Sequence, residues 1–260
     1  MSMMTLQHRI EAANAQGRIA LIPFITAGFP APECFIRILR ELDEGGADII
    51  EIGVPFSDPV ADGAVVEEAS RTALTAGVSL EWILRQLASL KPGLKAGVTL
   101  MGYYNPFLQY GLNRLAQEAA AAGVQGLIVA DLPLEESGAL RAVLTPCGMD
   151  LIVLVGPNTS DERMRDYARI AAGYVYVVSV MGITGVRNGL AAEAAETVRR
   201  AQLAFSLPVA LGFGIHSPGQ TDAMPSPPHA VVFGSALLRH LAEGRTAKEF
   251  MNSWTQGGKA

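Results

Sequence analysis

The sequence predicts an α/β fold, a single (β/α)8 barrel of the TIM type with an extra N-terminal helix. Three observations carry that reading. Eight short, β-branched apolar runs recur along the chain, each followed by a helix-like segment rich in Ala, Leu, Glu and Arg, the alternation of parallel βα units. The runs are nearly continuously apolar rather than alternating, as strands covered on both faces must be. The first run ends in TAGFPAPE, without the Gly-rich phosphate turn that the alternative, a doubly wound sheet, would need. Residues 1–260 are accordingly expected to form one catalytic barrel domain.

Taken in order, the first 15 residues read as a helix closing the bottom of the barrel. The strand-like runs are IALIPFITAG (19–28), ADIIEIG (47–53), AGVTLMG (96–102), QGLIVAD (125–131), MDLIVLV (149–155), GYVYVVSV (173–180), PVALGFG (208–214) and HAVVFGS (229–235). Several open just after a Gly or Ala (GGADIIEIG, AAGVQGLIVAD, CGMDLIVLV, AAGYVYVVSV), the mark of a left-handed cap ending the preceding helix. Between the seventh and eighth runs, three prolines within 224–228 leave room for only a stub of helix. The tail after Trp254 reads as frayed.

Composition narrows the class of function. The 260 residues are 50% hydrophobic and 17% charged, enough to bury a large core and unlike a disordered chain. Net charge is −5 and the basic residues are scattered, so no electrostatic footprint for nucleic acid exists. Cys34 and Cys147 are far apart and belong to no CxxC or Cys/His cluster, which argues against a disulfide scaffold or zinc site and fits a reduced cytoplasmic setting. The N-terminus lacks a continuous apolar segment, and no run of about 18 apolar residues follows despite a mean hydropathy of +0.27. A soluble, unexported protein with no membrane partner is expected.

Barrel enzymes build their sites at strand C-termini and the loops that follow, so polar residues there are the candidates. Glu51 interrupts the run IIEIG. A carboxyl in apolar surroundings has its pKa raised and can give and take a proton near neutrality; the alternative is a structural carboxylate satisfied by backbone N–H groups. The loop that follows, VPFSDPVADGAVVEEAS, is long for a βα connection and carries Asp58 and Asp62. Asp62 is a second carboxylate able to reach the mouth, unless it or Asp58 simply caps the next helix. Tyr174 and Tyr176 share one face of the sixth run, as mouth hydroxyls or as core tyrosines. GFGI after the seventh run and FGSA after the eighth match the backbone phosphate cradle of many barrels.

Two alternatives are disfavoured. None of the four lysines (Lys91, Lys95, Lys248, Lys259) ends a strand, against a Schiff-base aldolase. The four histidines, His8, His216, His229 and His240, are dispersed, against a metal-dependent one, and no metal is expected. Carboxyl proton transfer on a phosphorylated small molecule remains.

The motifs PFITAG, EIGVPFSDPVADG, LMGYYNPFLQYG, VADLPLEES, GITG, GFGI and GSA, in that order over essentially the whole chain, resemble the tryptophan synthase alpha subunit family. The resemblance implies retro-aldol cleavage of indole-3-glycerol phosphate to indole and glyceraldehyde 3-phosphate. It places the catalytic groups on Glu51, Asp62 and Tyr176, and substrate and phosphate contacts on Phe24, Thr184, Gly185, Phe213, Gly214, Gly234 and Ser235. The chain departs from the family's usual residues at Phe29, Ala64, His216 and the Pro-rich 224–228 stretch. The family implies no cofactor in this chain, a beta partner carrying pyridoxal phosphate, and an α2β2 heterotetramer in the cytoplasm. The long loops 54–64 and 181–189 are poorly held by the barrel core and would be ordered by that partner. Asp58, outside the proton-transfer pair, is the candidate contact to a basic side chain of the partner. A stand-alone lyase releasing free indole and a non-catalytic phosphate-binding barrel stay open at this point.

Overall fold

The computed structural model describes residues 4–178, 187–212, 215, 217–221 and 224–256, the side chains of 187–191 and 256 excepted. Helix α1 (Leu6–Ala15) precedes β1 (Ala20–Thr26), α2 (Phe35–Glu44) and β2 (Ile49–Gly53). There follow α3 (Ala64–Thr75), α4 (Leu80–Ala88), β3 (Gly97–Gly102), α5 (Tyr104–Tyr110), α6 (Leu112–Ala121) and β4 (Gly126–Val129). The second half comprises α7 (Gly138–Leu144), β5 (Asp150–Leu151), β6 (Val153–Val155), α8 (Asp161–Ala168), β7 (Val175–Val178) and α9 (Arg187–Ala204). It ends with β8 (Val209–Gly212), β9 (Ala230–Phe233), α10 (Ser235–Ala242) and α11 (Ala247–Gln256).

The strands pair in parallel in the order β5-β4-β3-β2-β1-β9-β8-β7-β6. The two ends of that order, β5 and β6, are separated in the chain by Ile152 alone, so the sheet is a ring. The fifth predicted run is thus one strand in two halves: β5 bonds back to β4 and β6 bonds forward to β7. Eight runs give nine strand segments in a nearly closed barrel. The runs also overreach their strands by up to three residues; Gly234 and Ser235, for example, cap and open α10 rather than end β9.

Two hydrophobic cores show which face of each strand turns where. Ile22, Phe24, Ile49, Met101, Ile128, Ile152, Tyr174, Tyr176, Ala210 and Val232 fill the barrel interior. Their strand neighbours Ile25, Ile50, Ile52, Leu100, Leu127, Val153, Val177, Leu211 and Val231 pack outward against the helices. The period of two, invisible in uniformly apolar runs, is therefore strict.

Helix α1 starts at Thr5, whose hydroxyl accepts from the His8 N–H. It buries Leu6, Ile10 and Ala13 in the interior core. Leu6 plugs the bottom of the barrel where β3 and β4 begin with glycines: a Cβ on Gly97 or Gly126 would come within 2.9 or 2.8 Å of its methyls. The left-handed caps foreseen before strands occur at Gly46, Gly123, Gly148 and Gly173, with φ of 90°, 88°, 70° and 73°. The described part of the β8–β9 connection holds no helix, and α11 continues two residues beyond Trp254, to Gln256. Both cysteines are free and half-buried. No helix among the described residues is long and apolar enough to cross a membrane.

Candidate active site

A cavity of about 590 Å³ opens at the C-terminal end of the strands. Its walls bring together six of the residues singled out from sequence: Phe24, Glu51, Asp62, Tyr176, Gly234 and Ser235. Met101, Ala130, Leu154, Val178 and Val232 complete an apolar surround, and the size suits a small organic ligand. A smaller hollow of about 300 Å³ lies beside β4 and the fifth strand, and neither Glu51 nor Asp62 borders it. Thr184, Gly185, Phe213 and Gly214 lie outside the described residues, as does His216.

Glu51 is held by the alternation of β2. Ile50 and Ile52 face the helices, so Glu51 must turn inward, opposite Phe24 on β1 and Thr99 on β3. It is wholly buried, and among the described residues neither carboxylate oxygen has a hydrogen-bond partner. A structural carboxylate satisfied by backbone N–H groups is therefore not what the fold has built. Burial raises its pKa to about 8, so the carboxyl carries a proton at neutrality.

Asp62 sits in a different setting. The loop after β2 turns tightly, with the Val60 N–H on Asp58 O at 3.0 Å and the Asp62 N–H on Pro59 O at 3.1 Å. Tyr103, the first residue beyond β3, pins the loop: its hydroxyl accepts the Ala61 N–H at 2.9 Å, next to Asp62, while its ring lies 5.2 Å from that of Phe56. Helix α3 is capped by Gly63 without a side-chain bond, so Asp62 is no N-cap. Partial burial raises its pKa to about 6, the Tyr103 hydrogen bond opposing and the charge of Glu67 adding. At neutral pH Asp62 is ionised while Glu51 is protonated, two carboxyls set in two states by their surroundings.

Tyr174 and Tyr176 are both buried, yet only Tyr176 borders the cavity. Tyr174 is one layer deeper and belongs to the interior core. Burial, then the neighbouring Glu51, holds the Tyr176 phenol far above its ordinary pKa, so it stays neutral. Its ring occupies the space a Cβ would take at position 212, which only glycine leaves free. Phe24 is seated in the same way, between Gly53 and Gly234, where a Cβ would approach its ring to 2.6 and 2.7 Å. At the far end, Gly234 caps α10 and accepts the Leu238 N–H at 2.8 Å; the helix's first turn holds no acidic residue, leaving its positive end open to an anion.

Asp58 is exposed and not part of the cavity wall; its carboxylate accepts the Ser57 hydroxyl. Beside it Val60 is 86% exposed, and Leu108 at the same end of the barrel is 47% exposed. Among the described residues no group of three His, Cys, Asp or Glu side chains is placed to hold a metal ion. Tyr103 and Met101 escaped the sequence reading. Tyr103 had a usable signal, a polar group just after a strand; Met101 had none, because an inward apolar residue looks like an outward one.

A closed parallel barrel with one protonated and one ionised carboxyl on a common cavity at its C-terminal mouth is a barrel enzyme equipped for acid–base chemistry. The family model for the tryptophan synthase alpha chain matches residues 10–256. The chain is 60% identical over 256 residues to the tryptophan synthase alpha chain of Nitratidesulfovibrio vulgaris (strain DP4), covering 98% of this chain and 100% of that one. With the Desulfovibrio desulfuricans protein of the same name it shares 63% over 251 residues, 96% and 98% of the two chains. The fold superposes on the crystal structure of the tryptophan synthase alpha chain from Legionella pneumophila subsp. pneumophila with a TM-score of 0.87 at 30% identity, covering all of both chains. The chain belongs to the tryptophan synthase alpha chain family, a family of lyases.

Proposed function

We propose that the chain cleaves indole-3-glycerol phosphate to indole and glyceraldehyde 3-phosphate, with Glu51 as the proton-transfer group, Asp62 as the electrostatic stabiliser and Tyr176 as a neutral wall of the site. The observation that carries this is the buried, unpartnered Glu51 carboxyl opening on the same cavity as an ionised Asp62. Glu51 starts protonated and gives its proton to indole C3. The ring nitrogen takes up the positive charge, and Asp62 stabilises it through the N–H. The bond between C3 and the glycerol carbon then breaks, its electron pair returning to the ring. The hydroxyl on that carbon becomes the aldehyde, and its proton returns to Glu51. No proton is gained or lost, and no step calls on a cofactor of this chain.

Phe24 would stack along the indole, and the phosphate would lie on the N–H groups of Gly234 and Ser235 at the start of α10, with Thr184, Gly185, Phe213 and Gly214 completing the cradle. Gly234→Ala tests this end. The added Cβ strikes Phe24 as well as crowding the anion, so glycerol 3-phosphate should bind about tenfold more weakly, the equivalent of about 1.4 kcal/mol. Unchanged affinity in a calorimetric titration would place the phosphate elsewhere.

The family name implies a beta subunit, and we assign the chain to an α2β2 assembly in which that partner carries pyridoxal phosphate and consumes the indole. The same reading puts the activity in the cytoplasm. The exposed Val60 beside Asp58 gives the partner an apolar contact next to a charged one. Indole release should be low for the chain alone and rise on adding a beta subunit. In Asp58→Ala, about tenfold more beta subunit should be needed for the same activation, as for loss of a paired interface charge. Full activity of the isolated chain, indifferent to any beta subunit, would favour a stand-alone lyase.

A further inference from the structure

Besides Glu51 and Asp62, one charged side chain borders the cavity among the described residues, and it is Arg239. Helix α10 begins at Ser235, and Arg239 follows four residues later, so the two stand one above the other on the same helix face. Leu237, Leu238 and Leu241 take the helix's other side into the core. Helical side chains lean toward the N-terminus of their helix, which aims Arg239 from the cavity wall toward the capping turn at Gly234. It has no hydrogen-bond or ion-pair partner among the described residues, whereas its neighbour His240 is tied to the Thr246 carbonyl at 2.9 Å.

The charge balance of the cavity calls for such a group. A phosphate monoester carries close to two negative charges at neutrality, and here it enters a hollow that already holds an ionised Asp62. The positive end of α10 offers about half a charge. Among the described residues that leaves most of the anion's charge unmatched where solvent is partly excluded, and an unmatched charge there is costly.

We infer that Arg239 is the cationic ligand of the substrate's phosphate, closing over it from the solvent side while the backbone at Gly234 and Ser235 holds it from below. This rests on the reading of the substrate as a phosphate ester. A guanidinium suits the task because its forked donors can meet two phosphate oxygens at once. Its position at the helix surface lets substrate enter before the cradle is complete.

The test is to titrate glycerol 3-phosphate and, separately, indole into the full chain as wild type, Arg239→Gln and Arg239→Lys. In Arg239→Gln the Kd for glycerol 3-phosphate should rise about 10- to 100-fold, the range for a lost charge-assisted hydrogen bond. The Kd for indole should stay within about twofold of wild type, and Arg239→Lys should recover part of the loss, as a point charge does without the fork. With indole-3-glycerol phosphate and beta subunit, the loss should fall on KM rather than kcat. Wild-type affinity for glycerol 3-phosphate in Arg239→Gln would overturn the inference, as would a parallel loss of indole affinity, which marks a disturbed cavity. A wild-type chain that binds indole but not glycerol 3-phosphate would instead overturn the phosphate reading beneath it.

Discussion

Glu51→Gln is expected to lower indole release about 10²- to 10⁴-fold, the usual contribution of a general acid–base group, while leaving glycerol 3-phosphate binding intact. The amide keeps the shape of the side chain inside β2 and loses the proton. In the wild type, kcat/KM should fall as pH rises past about 8, where Glu51 gives up its proton. The same group links activity to stability. Its pKa in the fold, about 8, lies above the ordinary 4.5, so the folded state holds the proton more tightly than the unfolded chain. Glu51's contribution is fully present below pH 4.5 and is lost as pH rises toward 8, at about 1.4 kcal/mol per pH unit. The glutamine variant has no such loss. Its Tm should exceed that of the wild type at pH 8 and converge with it near pH 4.5. A variant of near-normal turnover, or one whose Tm advantage does not depend on pH, would remove Glu51 from its assigned role.

Asp62→Asn should cost about 10²- to 10³-fold, the price of removing one preorganised electrostatic partner from a developing charge. The amide oxygen can still accept the indole N–H, so the loss belongs in kcat, with the Kd for indole little changed. Tyr103 would keep its bond to the Ala61 N–H, so the loop should hold its turn and the variant its fold. A loss confined to substrate affinity would make Asp62 a binding residue instead.

Glu51 and Asp62 were legible from sequence for different reasons. A carboxylate inside IIEIG has no apolar explanation, and desolvation alone foretells its raised pKa. Asp62 was marked by its place in a long loop at the catalytic end and by the EIGVPFSDPVADG motif, and its rival role as a helix cap falls because Gly63 holds that position without side-chain help. Tyr103, which pins the loop at Ala61, carries no mark in the sequence beyond its place just after a strand. Arg239 lies four residues from a predicted phosphate ligand, a spacing visible in the chain. Which face of α10 looks onto the cavity was not visible.

What the sequence by itself determined is the set of βα units, their order, the bottom helix and the two carboxyl candidates, because these follow from local periodicity, glycine caps and the cost of burying charge. Only the tertiary structure decided which apolar residues turn into the barrel and which meet the helices, since a strand covered on both faces carries no polar mark of its orientation. Closure likewise decided that the fifth strand divides at Ile152, one half bonding to each side of the ring. It also decided that Gly53, Gly212 and Gly234 are empty so that Phe24 and Tyr176 can be full. That complementarity joins residues on different strands, and packing across a barrel is a property of register and shear that no single stretch of chain contains.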